Sequence, residues 1–134
     1  MKQARWGRVL LAAGIVASVQ VARAGEPPTI AALKAESAEA LKGAEGMAYV
    51  TLIAKTLQET FSTAMEKCEP ALKDPMSMTF EIGFRITVEG RTVDVVTNPA
   101  TEAGKCVAGQ FRAVQYPKPP YPRFPIYLAV KGAD

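Results

Sequence analysis

The chain has 134 residues, with 16 Lys+Arg against 13 Asp+Glu, two cysteines and no histidine. That length fits one domain rather than two independent cores. The missing imidazole excludes Ser-His-Asp and Cys-His catalysis and every metal site built on histidine. The formal charge of +3 points to an acidic partner only if the basic residues belong to the working protein.

They do not all belong to it. Lys2, Arg5 and Arg8 form a basic n-region, Val9 to Val19 is an almost unbroken apolar run, and Ala22-Arg23-Ala24 is a small-x-small site. Residues 1–24 therefore read as a signal peptide, with cleavage expected after Ala24 and the periplasm as destination. The apolar run is short of the about 20 residues that span a bilayer; retention as an anchor is the alternative. Cleavage removes Lys2, Arg5, Arg8 and Arg23 and leaves acidic residues in slight excess. No Lys/Arg run remains, so a nucleic-acid partner is not expected.

Residues 25–67 read as an N-terminal helical segment. Two prolines in the lead-in GEPPT precede Ile30–Lys42, a stretch of strong helix formers with a thin apolar stripe of Ile30, Leu33 and Leu41. A second helix is expected from Met47 to about Lys67. Met47, Val50, Ala54, Leu57, Phe61, Ala64 and Cys68 recur at three- and four-residue spacing and share one face. That face serves either packing on its own domain or a short coiled-coil seam; two alanines in barely three heptads favour the former. Pro70 and Pro75 end the helix.

Residues 68–134 read as a ββαβ unit. Met78, Phe80, Ile82, Phe84, Ile86 and Val88 alternate with Thr79, Glu81, Gly83, Arg85, Thr87 and Glu89, which predicts a strand with one face buried and one wet. Glu89-Gly90 supplies a tight turn, and 91–97 returns as a second strand. Asn98-Pro99 is the expected helix start, with Asn98 as N-cap and Pro99 at the first helical position. The helix runs to about Gln115 with Ala103, Val107, Phe111 and Val114 on one face, and Gly104 and Gly109 allow a neighbouring element to come close. Tyr116–Pro125 is either a PxxP-like ligand or a stiff connector. It leads directly into a last strand, Ile126–Val130, which favours the connector. The fold class is α+β: a three-stranded antiparallel sheet, one covering helix and preceding N-terminal helices. The strand 78–88 is central; 91–97 and 126–130 are edges.

Export makes Cys68 and Cys106 a predicted disulfide. The pair has neither a CxxC spacing nor a histidine to depress a thiol pKa, and two thiols fall short of a structural zinc site. Ser37, Ser62 and Ser77 stand outside any GxSxG setting, and no phosphate-cradling glycine loop occurs. No catalytic residue, metal site or cofactor is expected, and the chain reads as a non-enzyme.

The order Cys68-Glu69-Pro70-Ala71-Leu72-Lys73, the strand pair FEIGFRITVEGRTVDV, Gly104-Lys105-Cys106-Val107, Tyr116-Pro117-Lys118-Pro119 and a Pro-initiated last strand resembles the TonB-like C-terminal domain family, the type found in myxobacterial gliding-motility proteins and other periplasmic proteins. The resemblance spans roughly residues 60–131. It implies a ββαβ fold that binds partner proteins, often by pairing a sheet edge with an extended peptide. Full-length transducers add a membrane anchor and a long Pro-rich spacer, so what carries over is the binding module. The expectation is a soluble periplasmic protein-binding module whose partner is another periplasmic or envelope protein, engaged through the edge strand Ile126, Tyr127, Leu128, Ala129 and Val130. The alternative is a structural subunit of an oligomer or larger envelope assembly that uses helices 30–67 to assemble.

Overall fold

The computed structural model describes residues 28–72 and 79–131. The signal segment 1–24, its cleavage point, Pro75 and Met78 lie outside the described residues. Helix α1 spans Ile30–Ala40 and α2 spans Ala44–Lys67, followed by a 3-10 turn, Glu69–Leu72. Strands β1 (Phe80–Ile86) and β2 (Thr92–Asn98), helix α3 (Glu102–Phe111) and strand β3 (Phe124–Val130) complete the α+β fold. The sheet order is β2-β1-β3 and both pairings are antiparallel, with β1 in the centre as its alternation requires.

The β1–β2 connection is local in origin. Gly90 has φ +83°, and its carbonyl accepts from the Tyr116 N–H at 2.9 Å, so the hairpin also anchors the start of the Pro-rich segment. A Cβ on Gly90 would lie 2.0 Å from the Tyr116 carbonyl oxygen, which leaves glycine as the one fit. Tyr116 is buried, and the Tyr49 hydroxyl donates to the Pro117 carbonyl at 2.7 Å. Residues 116–123 thus run as a connector held against the body, and β3 starts at Phe124, two residues before the expected strand.

Phe80, Ile82, Phe84 and Ile86 of β1 are buried on one face of the sheet. Val107, Ala108 and Phe111 of α3, Tyr49, Ile53, Leu57 and Ala64 of α2, and Phe124 and Ile126 of β3 close the same cluster. Helix α2 of the N-terminal segment therefore shares a core with the ββαβ unit. Phe84 stands at its centre, its ring centroid 5.5 Å from that of Phe111 and 6.2 Å from that of Tyr116. Cys68, at the end of α2, and Cys106, in α3, have their sulfurs at bonding distance, 2.02 Å, and their Cα atoms 5.9 Å apart.

Besides the earlier ends of β1 at Ile86, with Val88 38% exposed, and of α3 at Phe111, three expectations change. The buried side of α2 is Gly46, Tyr49, Ile53, Leu57 and Ala64, so the helix is rotated from the predicted stripe. Met47 is 50% exposed, and Val50 and Ala54 are only half-buried. Tyr49 and Ile53 also recur at three- and four-residue spacing with Leu57, and burying them removes more apolar surface from water. The cap of α3 is Thr101, whose hydroxyl accepts from the Gly104 N–H at 3.1 Å. Asn98 is the last residue of β2, so the strand takes the position expected to cap the helix, and the Asn98–Pro99 peptide is cis.

The third correction concerns the sheet's second face, predicted to be wet. Helix α1 covers it, packing chiefly over β3 and β1. Leu33, the one fully buried residue of α1, sits on Gly83. A Cβ on Gly83 would lie 2.6 Å from Leu33 Cδ1 and 3.1 Å from Leu33 Cβ, so the missing side chain is what lets the helix approach. The layers are thus α2 and α3, then the sheet, then α1. Replacing Gly83 with valine should overpack this contact and destabilise the protein by about 1–3 kcal/mol. Amide hydrogen exchange should then speed up in Leu33–Ala40 before it does in β1; equal acceleration in both would show that α1 is not a separate layer.

Candidate functional site

The strongest candidates are a charge cluster beneath α1 and the outer edge of β3; the outer side of β2 is the sheet's other unpaired edge.

The cluster begins with a shift in register. Gly83 pairs with Val96 and Arg85 with Val93, so β2 has one extra residue between these pairs. Asp94 lies there with φ 55°, the left-handed backbone that an Asp tolerates better than most residues. Its carboxylate accepts from Arg85 Nη1 at 3.1 Å and from Arg123 Nη2 at 2.5 Å. Arg85 also reaches Glu36 of α1, with Nη2 to Oε2 at 2.7 Å and Nε to Oε1 at 3.1 Å. The Glu36 hydrogen bonds hold the Arg85 guanidinium above its ordinary pKa, against a smaller opposing effect of burial. Two acids and two bases cancel, and every one of them is paired. The cluster fastens α1 to the sheet and leaves no unpaired group for proton transfer.

The edge site is built differently. β3 pairs with β1 on one side alone, so its other side offers main-chain N–H and C=O groups without a strand. Pro125 has no N–H, and a proline suits an edge strand where its nitrogen faces away from the ladder. The two-residue period then turns the main-chain groups of Tyr127 and Ala129 outward.

The side chains of the predicted edge residues separate. Ile126 and Val130 are buried in the core, opposite Phe84 and Phe80. Tyr127 faces α1: its hydroxyl donates to Glu81, and the Lys34 ammonium lies 5.6 Å from its ring centroid. The Glu81 hydrogen bond also raises the Tyr127 pKa. Ala129 is exposed, and Leu128 is half-buried. Leu128 and Val130 join Leu57, Gln58 and Phe61 of α2, with Ala129 and Lys131, around an open apolar groove of about 300 Å³. The α2 contribution is absent from the sequence-predicted site; Leu57 and Phe61 were legible as an apolar helix face, but nothing local placed them beside β3.

The cysteine pair is remote from both places in chemistry and carries no free thiol. Burial pushes the Tyr49 hydroxyl up to about 12, which keeps it a donor to Pro117. Among the described residues no group of three or more Cys, Asp and Glu is placed to hold a metal ion, and no helix is long and apolar enough to cross a membrane. No family model, curated protein or solved structure matches the chain. The site is therefore read from its own geometry. That geometry is a strand edge with a hydrophobic trough beside it.

Proposed function

We propose that this protein is a non-enzymatic, exported binding module of the cell envelope that captures an extended segment of another protein on the outer edge of β3. The observation that carries the reading is the unpaired edge of β3 beside the groove formed by Leu57, Phe61, Leu128 and Val130. Main-chain hydrogen bonds to Tyr127 and Ala129 supply affinity in such pairing, and the groove supplies selectivity. The likeness to TonB-like C-terminal domains points the same way, as does the signal-like segment 1–24 for a periplasmic location. Assembly through helices 30–67 has less support. The apolar sides of α1 and α2 lie against the chain's own sheet, and α2 leaves only Met47 and Leu52 as large exposed apolar side chains.

Ala129→Pro tests the reading, because it removes an outward N–H while leaving the β1–β3 ladder its bonds. Photocrosslinking from position 129 in the source cells should give one discrete adduct, and crosslinking from exposed Ser62 on α2 should not. Introducing Ala129→Pro alongside a crosslinker at Lys131 should reduce that adduct at least tenfold, with thermal stability changed by only a few degrees. An adduct formed equally from Leu52 and insensitive to the proline would favour the helical-assembly reading instead.

A further inference from the structure

The edge and the groove together constrain the partner's sequence. We infer that the captured segment carries two large aliphatic residues separated by one polar residue, flanked by an acidic residue beside Lys131. This deepens the edge-binding reading and rests on it.

The alternation follows from the sheet. A strand added outside β3 continues its pleat, so every second side chain falls on the face of Ile126, Leu128 and Val130. On that face α2 rises beside the strand, and the groove is lined by Leu57, Phe61, Leu128 and Val130, with Gln58 its one uncharged polar side chain. Aliphatic residues at that spacing would leave water there; polar ones would lose hydration without a partner. The intervening side chain falls on the opposite face, the side of Tyr127 and α1, next to exposed Ala129. A small polar residue is accommodated there without cost.

The charge follows from the groove's end. Lys131 borders it, is exposed, and forms no ion pair among the described residues; no carboxylate lines the groove. An incoming acid therefore meets a cation with no ion-pair partner among the described residues, and an incoming Lys or Arg meets repulsion. A second copy of this chain is the poorer occupant. Its own β3 has the apolar alternation, but it is followed by Lys131 and contains no acid.

Fluorescence anisotropy of the oxidised protein with three labelled nine-residue peptides tests this. One alternates threonine and valine between an aspartate at each end, one has a lysine at each end instead, and one replaces each valine by serine. The aspartate peptide should bind about three to five times more tightly than the lysine peptide, as expected for an exposed charge pair. The serine peptide should bind at least tenfold more weakly. Lys131→Glu should reverse the charge preference, and Ala129→Pro should abolish binding of all three. Equal binding of the aspartate and lysine peptides, or no loss with serine, would overturn the sequence rule while proline-sensitive binding kept the edge reading intact. Binding insensitive to Ala129→Pro, or none by any peptide, would overturn both. Concentration-dependent dimerisation of the wild type that Ala129→Pro removes would assign the edge to a second copy and also overturn the inference.

Discussion

Replacing Phe84 with alanine should lower the free energy of unfolding by about 3–5 kcal/mol, the range for truncating a fully buried aromatic. Phe84 is wholly buried at the middle of the central strand, and its neighbours leave little freedom to close the gap. Phe111 comes from α3, Tyr116 from the connector, and Ile126 from the paired position on β3. Each is anchored by its own element: α3 by the Thr101 cap, and Tyr116 by the Gly90 carbonyl. A cavity at that point therefore persists, and the lost transfer energy and the cavity cost add. Urea denaturation measures the loss as a drop in midpoint with the slope unchanged. A loss below about 1 kcal/mol would mean that the core collapses around the vacancy, contrary to the packing described. For a domain of ordinary stability, the predicted loss is a large share of the total.

Reduction of the Cys68–Cys106 bond should cost about 4 kcal/mol. The figure comes from the chain-entropy model for a cross-link between residues 38 apart in sequence. The bond joins the end of α2 to α3, two helices that pack on one another over the same face of the sheet. Without it, the unfolded chain regains the freedom of the intervening loop, which includes β1 and β2. The double replacement Cys68→Ala, Cys106→Ala avoids stray thiol chemistry and should show the same loss. The oxidised protein should show no reactive thiol in denaturant. A reductant that left the denaturation midpoint of the wild type unmoved would show that the link adds nothing to stability.

Much of this architecture was legible locally. The alternation from Phe80 to Ile86 identifies the central strand because a period of two is hard to produce by chance over seven residues. The turn at Glu89-Gly90 needs a positive φ, and glycine supplies it at no steric cost. The apolar face of α3 and the final strand follow from periodicity as well. On α2 two overlapping stripes satisfy the same spacing. Only the sheet, by accepting Tyr49 and Ile53, chooses between them. Asn98 looked like a cap because Asn-Pro is a helix-start pattern; the strand claimed it first, and Thr101 was three residues further on.

The cover over the second face was hidden for a different reason. Glu81 and Arg85 look like solvated positions, and α1 has a weak apolar stripe with one fully buried residue, Leu33. Neither segment announces the other. Their fit depends on a glycine that makes room for Leu33 and on a guanidinium that meets Glu36 and a bulged Asp94. The same holds for the candidate site. The sequence named the edge residues 126–130, but burial divides them into core side chains and an outward main chain, and the groove needs Leu57 and Phe61 from a helix some seventy residues earlier.

The sequence by itself determined the α+β class, the central strand, the hairpin and the cysteine pair, because each depends on residues near in the chain or on composition. Only the tertiary structure decided which face of α2 is buried, that α1 closes the second side of the sheet, and that a hydrophobic trough runs beside β3. Those features arise from contacts between segments distant in the chain, where shape and charge must match on both sides, and one side alone does not reveal them.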